Sequence, residues 1–171
     1  MPADPLLASY LRSHWLALHG EARLAARAAS SVRDTTTREA LTALSEQVGQ
    51  DRDALLSVLR TVGVHRPRSG ERLVSVAERL GRLKTNGTVV RRSPASDLVE
   101  LEGWIDAVHL RRLGWVSLSE VAATADLDLG LDAEELHRLI VRAEDHLAAL
   151  EHLHRIAARR ALGGTSRTEQ G

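Results

Sequence analysis

Four long stretches of this chain repeat apolar residues at the helical period, and no other pattern in the sequence competes with them. Leu7, Leu11, Leu18, Ala22 and Ala25 form the first stripe, and Leu41, Leu44, Val48, Leu55, Leu59 and Val62 the second. Leu98, Leu101, Ile105, Val108 and Trp115 form the third, and Leu136, Leu139, Ile140, Ala143, Leu147, Leu150 and Ala157 the fourth. A helix with one apolar stripe must bury it against a neighbour, so the pattern predicts a helical bundle. Composition limits what that bundle can be built from. With no Phe and no Cys, the core has to be Leu, Val, Ile and Ala. A disulfide framework, a thiolate zinc site, an iron–sulfur centre and a cysteine nucleophile are all excluded.

Local signals set the expected boundaries. The first helix is expected over 5–29, followed by a polar turn at 30–37. Thr36, three residues before Glu39, has the spacing of a capping box and is expected to open the second helix, which Gly63 ends. Pro67 and Gly70 mark a loop, after which Leu73, Val76, Leu80 and Leu83 predict a shorter helix over 71–84. Asn86-Gly87 and Pro94 bracket an irregular connection. Asp97 and Glu100 repeat the capping spacing ahead of the third long helix, which fades near Val121, and Asp132 with Glu135 caps the last. A single domain over 1–162 with a disordered tail at 163–171 is expected. Two helix pairs with short internal links and a long crossover between them define an all-α, four-helix up-down bundle. Its connectivity is ferritin-like, with the short extra helix in the crossover.

Charge narrows the partners. Basic and acidic residues balance at 23 each, so no long-range field draws the chain to nucleic acid or to an anionic membrane. No run approaches the ~20 apolar residues of a membrane span, and a cytoplasmic protein is expected. There is no phosphate-cradling glycine loop and no Gly-x-Ser-x-Gly elbow. Asp126-x-Asp128-x-Gly130 opens like a calcium loop, but its last ligand position is His137 where a bidentate Glu is needed.

Polar residues on the inward faces are the candidate chemistry. They are His14 and Glu21, Asp51, Glu102 and His109, and His146 and His154. Folding the first helix onto the second sets Asp51 between His14 and Glu21. Folding the fourth onto the third sets His109 near Arg142 and Glu102 near Ala149, with His146 between. Glu21, Asp51, Glu102, His109 and His146 are therefore expected in one layer. Carboxylates and imidazoles so placed are the donor set of a di-iron or di-manganese site. The paired Glu-x-x-His pattern of such sites is incomplete: Asp51 is followed by Ala54, Asp106-x-x-His109 lies off the stripe, and Glu151-x-x-His154 lies some two turns away. The competing reading is structural, because buried polar groups need partners with or without a metal.

The stretches Gln47-Val48-Gly49-Gln50-Asp51-Arg52, Glu78-Arg79-Leu80-Gly81-Arg82-Leu83-Lys84-Thr85-Asn86-Gly87 and Leu98-Val99-Glu100-Leu101-Glu102-Gly103 resemble a family of uncharacterised ferritin-like helical-bundle proteins from G+C-rich bacteria. The resemblance implies the bundle fold and a cytoplasmic home, and no assigned reaction. The expectation is thus a non-catalytic bundle that self-associates or binds a protein partner, with spare apolar surface at Trp15, Trp104 and the crossover helix. No cofactor is expected; the alternative is a di-metal protein of oxidative or stress defence.

Overall fold

The computed structural model describes residues 4–32, 34–67, 94–125 and 127–163, and among them it holds four α-helices and no strand. These are α1 (Pro5–Ser31), α2 (Thr35–Thr61), α3 (Pro94–Thr124) and α4 (Ala133–Leu162). The expected crossover helix at 71–84 and most of the tail lie outside the described residues. No described helix is long and apolar enough to cross a membrane.

Each start has a physical cause. Asp4 accepts the amides of Leu6 and Leu7 at 2.8 and 3.2 Å, with Pro5 at the first helical position, where its missing N–H is harmless. α2 opens one residue before Thr36, because Asp34 takes the Thr37 amide at 2.8 Å and leaves Thr36 inside the helix. α3 likewise begins at Pro94, so Asp97 is interior and not its cap. Asp132 and Glu135 form the expected capping box, with reciprocal bonds of 2.7 and 2.8 Å. Replacing Asp132 by Ala should therefore lower stability by about 1 kcal/mol, read as a fall of about 2–4 °C in Tm by circular dichroism.

α2 ends in a Schellman motif. The Val64 amide reaches Leu59 O at 2.8 Å and the Gly63 amide reaches Arg60 O at 3.1 Å, with Gly63 at φ +69°. Glycine takes that left-handed conformation without strain, and Val64 tucks into the core just beyond it.

Side-chain pairing fixes the direction of every helix. Arg27 lies 3.8 Å from Glu100 at one end of the α1–α3 contact, and the His14 ring abuts Gly114 at the other, so these helices run antiparallel. Arg112 pairs with Glu144 at 2.7 Å and Glu102 with His154 at 3.2 Å, making α3 and α4 antiparallel. Arg142 meets Asp51 and His146 meets Gln47, which does the same for α2 and α4. The short turn between α1 and α2 reverses the chain again. Each helix thus opposes its two neighbours, while α2 and α3 run parallel along the diagonal. Leu11, Val48, Val58, Leu59, Trp104, Val108, Ala143 and Leu150 are fully buried along the axis. Trp15 and Trp104, expected to supply exposed apolar surface, are 7% and 0% exposed and belong to the core. Among the described residues, the large apolar side chains that do face solvent are Leu6, Leu113, Val141 and Leu162.

Candidate functional site

An arginine sits at the centre of the bundle. Arg111 follows Val108 by three residues and precedes Trp115 by four, which places it on the inward stripe of α3, 4% exposed. Each nitrogen of its guanidinium faces a different helix. Nε lies 3.1 Å from Glu21 Oε2 of α1. Nη1 donates to Asp51 Oδ2 of α2, and Nη2 donates to His146 Nδ1 of α4 at 2.9 Å. Asp51 is held a second time by Arg142, whose Nη1 donates to Oδ1 at 2.7 Å.

The bonds determine the protonation of the ring. A guanidinium can only donate, so His146 Nδ1 must accept, and the ring proton is on Nε2. Nε2 then donates to Gln47 Oε1 at 2.6 Å. Burial, with Arg111 and Arg142 beside it, pushes the His146 pKa down to about 3, so the imidazole is neutral across the physiological range. Asp51 is pushed up by burial against the opposing pull of the two arginines. Glu21 is pushed up to about 7, again by burial, which outweighs Arg111 and the Trp104 indole donating to Oε1 at 3.3 Å. Its link to Arg111 is an ion pair without an aligned hydrogen bond, since neither Nε nor Oε2 has such a partner among the described residues. Glu21 is therefore the least securely held carboxylate of the layer.

Of the five residues expected to share a layer, Glu21, Asp51 and His146 do so, and Glu102 and His109 do not. Both of the latter are exposed, Glu102 pairing with His154 on the surface. Expected opposite Ala149, Glu102 lies opposite His154, and α3 continues to Thr124, three residues beyond Val121. His14 is half-buried beside Tyr10, with ring centroids 4.4 Å apart, and burial lowers its pKa.

This donor set does not fit a metal. The space between Glu21 and Asp51 holds a guanidinium, which already balances their charge together with Arg142. Among the described residues no group of three or more His, Asp or Glu is disposed around a common point that an ion could take. The arrangement can hold helices together, since Arg111 engages a carboxylate of α1, a carboxylate of α2 and the imidazole of α4.

The described residues define an all-α four-helix bundle with a buried, arginine-centred ionic layer. No family model, curated protein or solved structure matches the chain.

Proposed function

We propose that this is a non-catalytic bundle of ferritin-like connectivity that works by binding, to a second copy of itself or to a protein partner. The observation that carries the reading is the closure of the layer. Glu21, Asp51 and His146, the inward groups with the chemistry for acid–base or ligand work, are each engaged by Arg111. The opposed directions of neighbouring helices, with α2 and α3 parallel, support ferritin-like connectivity. The resemblance to an uncharacterised ferritin-like family of G+C-rich bacteria supports the same reading. Leu113 and Val141, exposed near the middle of α3 and α4, give a partner apolar surface to meet.

Two measurements on one preparation test this. Sedimentation velocity over a hundredfold concentration range is expected to show self-association that a Leu113→Glu/Val141→Glu double variant weakens at least tenfold, or else a monomer that retains a co-purifying protein the variant loses. Elemental analysis of protein purified without chelator is expected to show substoichiometric iron, manganese and zinc. One or two equivalents of metal, lost in Asp51→Ala, would overturn the reading in favour of a di-metal protein.

A further inference from the structure

Beside the ionic layer, α1, α2 and α3 leave a cleft. Tyr10, His14 and Gly114 flank it, Leu18 and Leu55 supply apolar wall, and Arg111 and Trp115 also line it. It has about 20 Å³ of space, far below the ~300–1,000 Å³ of a site for an organic ligand. It does exceed the ~10–15 Å³ that one water needs.

Two of the residues lining that space carry polar groups. Trp115 is 2% exposed, and its indole N–H has no acceptor among the described residues. A buried donor left bare is costly enough that native structures nearly always give it a partner, protein or water. His14, neutral because burial lowers its pKa, carries a ring nitrogen able to accept. Gly114 keeps the wall open: a Cβ there would stand 2.7 Å from His14 Nδ1, and the ring would have to give way.

We propose that this cleft is a site for one long-lived water molecule, which accepts the Trp115 indole proton and donates to the His14 ring. The water needs two to four polar partners to be held. The indole N–H and the imidazole supply two. Arg111 lines the same cleft, next to the ionic layer.

Indole-labelled protein tests the proposal by nuclear magnetic resonance. The three indole N–H signals are assigned by Trp→Phe substitution, and cross-relaxation with water is recorded for each. The Trp115 signal is expected to show a water cross-peak of the sign given by a molecule resident for longer than nanoseconds. Trp104, bonded to Glu21, is expected to show none. The Trp115 cross-peak should persist in Tyr10→Phe, which removes relay through the hydroxyl proton, and should fall at least fivefold in Ala107→Leu, which fills the cleft. A Trp115 indole without a water cross-peak overturns the proposal. So does a cross-peak that disappears in Tyr10→Phe. Should Ala107→Leu fail to fold, the wild-type and Tyr10→Phe spectra decide the matter alone.

Discussion

Arg111→Ala is expected to destabilise the protein by about 3–5 kcal/mol, because it leaves Glu21 and Asp51 buried with one charge partner between them. That is a large share of the ~5–15 kcal/mol by which domains are usually stable, so much of the variant should be unfolded at 37 °C. The loss belongs to the orphaned acids more than to the pair itself. Arg111→Met combined with Glu21→Leu removes both charges of the weaker pair and leaves Asp51 with Arg142. The double variant should recover most of the loss, as apolar replacements of buried ion pairs commonly do. Urea unfolding followed by tryptophan fluorescence reads both effects. A single variant within 1 kcal/mol of wild type would show that the layer does not join the two helical hairpins, α1–α2 and α3–α4.

Stability should also depend on pH in a way that identifies two residues of the layer. His146 titrates at about 6.5 in the unfolded chain and at about 3 in the fold. Between those values the unfolded chain binds the extra proton, so its contribution is present above pH 6.5 and is lost as pH falls toward 3. Glu21 has the opposite sign. Its pKa rises from 4.5 to about 7 on folding, so its contribution is full below 4.5 and is lost as pH rises through 7. The two nearly cancel between 4.5 and 6.5, which gives a plateau there, a decline toward pH 8 owing to Glu21 and a steeper decline below 4.5 owing to His146. The raised Asp51 pKa contributes with the same sign as Glu21. His146→Gln should gain about 3–5 kcal/mol on wild type between pH 6.5 and pH 3. Glu21→Gln should lose the decline above 6.5. Tm measured across pH 3–8 for the three proteins checks both, and parallel curves for wild type and His146→Gln would refute the assignment.

Periodicity and caps were enough to place four helices, since an apolar stripe repeated over many turns can be satisfied only by burial. The errors at the starts of α2 and α3 came from stronger signals a few residues upstream: Asp34 caps ahead of Thr36, and Pro94 fits a first helical position ahead of Asp97. Glu21, Asp51 and His146 were legible as inward groups because acids and imidazoles on an apolar stripe are conspicuous. Arg111 lies on the same stripe and went unread, because arginine is ordinarily taken for a surface residue whose stem lies along the helix. Its spacing from Val108 and Trp115 was the available signal. Without it, three inward groups lacked their counter-charge, and a metal took that place in the alternative reading. Glu102 and His109 fell out for a geometric reason. Each lies one residue past a buried position, Leu101 and Val108, and about 100° around a helix is enough to reach solvent.

Neighbouring helices whose seams are Leu and Ala can in principle slip past one another by a turn, about 5.4 Å, and still bury similar surface. Here α1 would then bring Ala17 or Ala25 to the position of Glu21, and α2 would bring Gln47 or Leu55 to that of Asp51. One guanidinium bound to three helices makes each such slip break a different bond. Arg111 therefore acts as an index pin: greasy seams indifferent to sliding are held at a single setting.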